Sequence, residues 1–229
     1  MARSKTPRAK EPLPPPLPPE TRTVGQLVAE TLRLYGARFW PSLALGILPA
    51  AAGVGQAAVP DWARVPWAVS AGGFLLTATY VRAATLVGDV ALTARSARTA
   101  MVAGMLVFLP VPILAHFYYL PAVLWLAFLG LVVPVAVIEG VGLRAAFRRT
   151  VALARADYVH AAGSLATLAI VGVLTSFVLF FLLRDQGEVA LQAAAFLTLL
   201  VLSPVLFLGA ALLYYDQAAR VTRVGRERT

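Results

Sequence analysis

The chain contains no cysteine, and its only histidines are His116 and His160. Disulfides, thiolate metal centres and cysteine nucleophiles are therefore excluded, and a histidine-based metal centre lacks ligands. Charge is scarce too: Asp, Glu, Lys and Arg make up 14% of the 229 residues, against 59% hydrophobic ones, and the mean hydropathy is +0.77. That balance lies outside the usual range of soluble domains, so the natural solvent of this chain is a bilayer. Gly-rich phosphate loops, zinc-protease motifs and carboxylates paired on one face are also missing. The apolar runs hold almost no ionisable side chain, which argues against an ion-coupled path and against catalysis within the membrane. The expectation is a protein without enzymatic activity and without a cofactor.

What charge there is has one dominant sign, with 20 Lys and Arg against 11 Asp and Glu, a net +9. No basic patch is interleaved with base-stacking aromatics, so nucleic acid is not an expected partner. A membrane protein needs a basic cytoplasmic face, and that accounts for the excess. Residues 1–21 carry Arg3, Lys5, Arg8 and Lys10 and then PLPPPLPPE, with no apolar core of a cleavable signal behind the charges. Repeated proline fixes φ and removes donors, so a disordered, basic, Pro-rich cytoplasmic tail is expected.

From residue 22 to 216 the pattern is that of an all-α, polytopic membrane helix bundle. Val24, Leu27, Val28, Leu32, Tyr35 and Phe39 recur at helical spacing among charges, predicting an amphipathic helix along the cytoplasmic interface. Six spans are expected at about 42–60, 67–86, 101–117, 121–138, 160–183 and 189–214. Asp61 to Pro66 reads as a polar turn between the first two, with Trp62 and Trp67 at aromatic-belt depth. The run from Met101 to Gly140 is too long for one crossing at 1.5 Å per residue, so it must fold back, most naturally at His116–Pro121. Val87–Thr99 reads as a second short amphipathic stretch, and Val141 to about Asp157 as a third. Arg184–Glu188 is the last external turn, Pro204 should kink the sixth span, and 217–229 reads as a basic cytoplasmic tail.

Eighteen of the twenty Lys and Arg then fall on one side, all but Arg64 and Arg184, which predicts both termini in the cytoplasm. Val-Gly recurs at Val24-Gly25, Val87-Gly88 and Val141-Gly142, each time beside a basic amphipathic stretch. This suggests three repeats of an interfacial helix followed by a helical hairpin.

The third interfacial helix is the richest candidate site. At 3.6 residues per turn Arg144, Arg148 and Arg155 share one side, with Leu143, Phe147, Val151 and Ala154 beside them. Such a helix can press its apolar face into the boundary and offer guanidinium groups to anionic lipid phosphates. Glu139 can pair with an arginine of that helix or complement its N-terminus. Asp216 and Arg220, four apart, can pair at the end of the sixth span, beside Tyr214 and Tyr215 of the aromatic belt.

Two of these landmarks carry a resemblance. The segment VVPVAVIEGVGLRAAFRRTVALAR, Val132 to Arg155, resembles the Glu-Gly and paired-arginine segment of the bacterial membrane domain attached to some glycerophosphoryl diester phosphodiesterases. LLYYDQAARV is similar to that family's Tyr-Tyr-Asp followed by arginines, and Thr23 to Leu43 to its opening interfacial helix. The chain departs from the family at Gln217-Ala218, where a leucine-arginine pair is usual. The resemblance implies six helices, a cytoplasmic cluster of Glu139, Arg148, Arg149, Asp216 and Arg220, and no phosphodiesterase activity, which belongs to a separate domain. Taken together, the residues point to a non-enzymatic membrane module that gathers anionic lipids, a membrane-protein partner or a second copy through Glu139, Arg144, Arg148, Arg149, Arg155, Tyr215, Asp216 and Arg220. The alternative is a transporter or permease component.

Overall fold

In the computed structural model, residues 18–226 are described, and among them every regular element is helical. A single 3₁₀ turn, Pro19–Thr21, leads into α1 (Val24–Ala37). Thr23 caps α1 by accepting from the Gln26 amide, and the Gln26 side chain accepts in return from the Thr23 N–H. The face that α1 buries is centred on Leu27 and Thr31, so Leu32 and Phe39 of the expected stripe are left exposed. The helix is also no free-lying interfacial element. It packs against α11 (Tyr158–Leu183) and α12 (Glu188–Arg226), with Thr31 against Gly209.

The intervening chain runs back and forth as α2 (Phe39–Ala44), α3 (Ile47–Ala58), α4 (Asp61–Trp67), α5 (Gly73–Gly88), α6 (Ala94–Phe108), α7 (Val111–Phe117), α8 (Tyr119–Leu129), α9 (Val132–Ile138) and α10 (Leu143–Ala156). Among the described residues, five stretches are long and apolar enough to cross a membrane: Phe39–Ala58, Ala94–His116, Tyr119–Ile138, Tyr158–Leu183 and Glu188–Arg223. The expected span at 67–86 is not one of them. The helix there packs between α3, α6, α9 and α12 and buries Thr77, Thr79, Tyr80, Val81, Ala83 and Ala84, so protein rather than lipid surrounds much of it. Thr77 and Thr79 return their hydroxyls to the Gly73 and Leu75 carbonyls, which removes the cost of burying them.

Several expected boundaries move. The polar turn at Asp61–Pro66 is instead α4, which continues through a π-helical segment, Ala68–Gly72, into α5. Trp62 is exposed as an interface residue should be, whereas Trp67 is wedged on α3, donating its indole N–H to the Ala52 carbonyl and leaving no room for a side chain at Gly55. The second amphipathic stretch does not exist as a helix of its own. Val87-Gly88 closes α5, Asp89 takes a left-handed conformation with φ 50°, and Arg95 and Arg98 lie in the first turns of α6. Thr93 and Ser96 cap α6, and nothing between Thr99 and Met101 interrupts it, so the stretch is continuous with its span. Val-Gly thus opens α1, closes α5 and precedes α10, three different places. The turns expected at 116–121 and 184–188 are present, the first through extended Tyr118 and the second through Gly187 with φ +91°.

Helix α12 does not stop at 214. It runs unbroken to Arg226, with Gln217 fully buried, so the expected tail from 217 is helical through its described part; residues 1–17 and 227–229 of the two expected tails lie outside the described residues. Pro204 sits inside α12 and leaves the Leu200 carbonyl without its helical donor. Gly46 is pressed onto that oxygen so closely that any Cβ there would collide with it. Close approach by small residues recurs where Gly104 of α6 meets Thr77 of α5 and Gly53 of α3 meets Leu199 of α12.

Candidate functional site

The chain ends that meet at one pole of the bundle build the site. Helix α9 buries Val132 through Val137, and the first residue after it able to reach polar surroundings is Glu139. Gly140, with φ +64°, lets the chain reverse there at no steric cost and start α10 from Gly142. Glu139 Oε1 accepts from Arg149 Nε at 3.0 Å and from the Tyr214 hydroxyl at 2.9 Å. One carboxylate thereby ties α9 to α10 and α12. Tyr215 stacks edge-on against Tyr214, centroids 5.1 Å apart, and lies against Gly88 at the end of α5.

On the other side of α12 lies a second polar cluster, and it is deeper. Asp216 is fully buried and takes the Arg22 guanidinium at 2.7 Å. Its second oxygen faces His160 Nε2 at 3.6 Å, beyond hydrogen-bond reach, and neither atom has a hydrogen-bond partner among the described residues. Asp157 caps α11, its Oδ1 accepting from the His160 backbone N–H at 3.0 Å, while its Oδ2 receives Arg220 Nη1 at 2.6 Å. Arg220 Nη2 returns to the Arg22 carbonyl at 2.8 Å, and Gln217 donates to the Asp157 carbonyl at 3.0 Å. The contacts form a closed ring: Arg22, Asp216, His160, Asp157, Arg220 and back to Arg22. A third link at the same pole joins Arg38 to the Leu86 carbonyl at 2.8 Å and to exposed Asp89 at 3.3 Å.

Glu139 meets Arg149, but it does not meet Asp216 or Arg220. The expected Asp216–Arg220 pair is not formed, because each has a nearer opposite charge on another element, Arg22 for the aspartate and Asp157 for the arginine. Gln217, at the departure from the family pattern, serves this ring as a donor.

Helix α10 turns Ala146, Thr150, Leu153 and Ala154 inward. Of the apolar face expected for it, only Ala154 is buried, and Leu143 is exposed, because small residues let α10 sit close to the bundle with Phe147 and Val151 at its flank. Arg149 is the half-buried member of the series. Arg144, Arg148 and Arg155 point outward with no carboxylate partner among the described residues, as do Arg82, Arg95 and Arg98 nearby in sequence to the same pole.

Arg22, Asp157 and His160 are the contributors that the sequence conceals, while Tyr214, expected as an aromatic-belt residue, turns out to be a partner of Glu139. Asp157 alone carries a local signal, an N-capping residue directly before a long apolar run. Arg22 gives none, since it pairs across 194 positions of chain. Within the ring, Asp216 Oδ2 and His160 Nε2 face each other in a buried setting. The ring's charged groups hold one another and join α1's approach, α11 and α12. Among the described residues no three His, Asp or Glu converge to hold a metal ion. No family model, curated protein or solved structure matches the chain.

Proposed function

We propose that this is a non-enzymatic integral membrane protein that gathers anionic lipids at its arginine-bearing pole. The observation that carries the reading is the sorting of arginines there. Arg22, Arg149 and Arg220 are turned into carboxylates and hold helices together, while Arg144, Arg148 and Arg155 on one face of α10, with Arg82, Arg95 and Arg98, are left exposed and unneutralised. Unpaired guanidinium groups beside an apolar boundary suit bidentate capture of lipid phosphates.

In this reading residues 61–88 make a sixth crossing, both termini are cytoplasmic, and the membrane is a bacterial inner membrane. The support is the alternation of the helices between two poles and the eighteen basic residues on one side. Membership of the phosphodiesterase-associated membrane-domain family is part of the same proposal, supported by the motif residues Glu139, Arg149 and Asp216 lying at one pole. The direct test replaces Arg144, Arg148 and Arg155 with glutamine and measures flotation with vesicles containing phosphatidylglycerol. The wild type should float with these in preference to neutral vesicles, and the triple variant should lose most of that preference while remaining monodisperse in detergent. Equal preference in both proteins would overturn the proposal.

A transporter or permease component is the second reading. What favours it is a partly open cavity of about 490 Å³ between the helices at the other pole. Its lining is almost wholly apolar, which suits a hydrophobic molecule and not an ion.

A further inference from the structure

That cavity has a shape and a polarity. Along α12 it is lined by Leu199, Ser203, Phe207 and Ala210, one face of the helix over three turns. Eleven steps of 1.5 Å make the slot about 16 Å long, parallel to the helices.

Its floor is aromatic. Tyr80 packs against Phe207 and Phe108 with centroids 5.8 and 6.4 Å away, about two turns of α12 short of the Glu139–Tyr214 contact. Its opposite end holds Gln56, two residues before α3 ends at Ala58, and Trp67, whose indole N–H is already engaged by Ala52. The Ser203 hydroxyl is likewise engaged, by the Leu199 carbonyl. Water inside would find few of the two to four polar partners it requires, so the slot suits hydrocarbon.

The geometry points to a binding site for one acyl chain of a phospholipid, its methyl end on the Tyr80 floor and its ester beside the Gln56 amide. The gradient selects this occupant: a single amide stands within a turn of the helix end, where ester carbonyls of a lipid lie, and below it the lining is carbon apart from the Ser203 and Tyr80 hydroxyls. The inference goes beyond the lipid-binding reading: the slot lies apart from Arg144, Arg148 and Arg155, so an acyl chain held here and a headgroup captured there belong to different lipid molecules.

The test uses the full chain purified in a neutral detergent, supplied with zwitterionic phosphatidylcholine and examined by native mass spectrometry. The wild type should retain one phosphatidylcholine per chain under activation that strips the detergent. Ala210→Phe and Ala169→Phe, which fill the slot from α12 and α11, should each lower that occupancy at least tenfold while the protein keeps its elution volume and helix content. Should either variant unfold, Ser203→Leu supplies a milder filling and should lower occupancy severalfold. Replacement of Arg144, Arg148 and Arg155 with glutamine should leave phosphatidylcholine retention unchanged, so failure of the headgroup reading and failure of this one give different patterns. Equal retention by wild type and filled variants, no retained lipid in the wild type, or retention of palmitate in place of phosphatidylcholine would each overturn the assignment.

Discussion

The two poles of this bundle are built on opposite rules. At the arginine pole, Arg22, Arg149 and Arg220 each meet a carboxylate, with Asp216 and Gln217 at zero exposure and α9, α10, α11, α12 and the approach to α1 cross-linked through side chains. At the other pole the helices are held mainly by apolar contact, with the Trp67 and Trp125 indole N–H groups donating to the Ala52 and Val107 carbonyls, and they leave a slot, while the far half of α11 exposes Val173, Leu174, Phe177, Phe180 and Phe181. The difference is instructive about where a membrane protein obtains its specificity. Lipid tails are as apolar as leucine, so hydrophobic contacts between helices cannot by themselves fix one arrangement, whereas polar pairing and close backbone approach can. One pole sets the register of the helices, and the other is free to take up hydrocarbon.

This contrast can be broken most severely at Asp216. Asp216→Asn strips the buried Arg22 guanidinium of its counter-charge and should cost about 3–5 kcal/mol, read from unfolding in mixed micelles. Combining it with Arg22→Gln should recover part of the loss, and a double variant no more stable than Asp216→Asn would show that the pair is not coupled. Next comes the close approach in the middle of the bundle. Gly46→Ala drives a methyl group into the Leu200 carbonyl and should cost about 1–3 kcal/mol, whereas Gly172→Ala, with open space around it, should be neutral in the same assay. Glu139→Gln removes charge from a pair that solvent partly screens, and about 1 kcal/mol is expected. The smallest effect on stability belongs to Arg148→Gln, within about 0.5 kcal/mol of zero, because its guanidinium touches no carboxylate among the described residues. Thermal unfolding in detergent checks that last value, and a clear loss of stability would mean that Arg148 belongs with the structural arginines.

Much of the fold was legible because long apolar runs and punctuating residues are local signals. Pro and aromatic residues at 116–121 and Gly187 at the last turn mark reversals correctly, and Glu139 stands out as the first charge after a buried run. Boundaries failed where the physics was tertiary. Residues 61–66 look like a turn in isolation but are helical, with Trp67 anchored to α3 by a hydrogen bond that no local pattern reveals. Residues 94–99 look interfacial by their arginines, yet a capped helix simply continues through them. Within the site, Arg149 is distinguished from Arg148 only by a 100° step around α10, which aims one at Glu139 and the other outward. The Asp216–Arg220 spacing suggests a local pair, and it is overridden because Arg22 and Asp157 arrive from distant sequence.

The separation between Arg22 and Asp216 also has a meaning in time. Their 194 positions of chain take on the order of 10–40 s to translate at about 5–20 residues per second. Throughout that interval the arginine has been made and its carboxylate has not, so α1 must stay undocked from its final place while the earlier hairpins insert. Arrival of α12 closes the ring last, as a clasp that only a completely synthesised helix bundle can fasten.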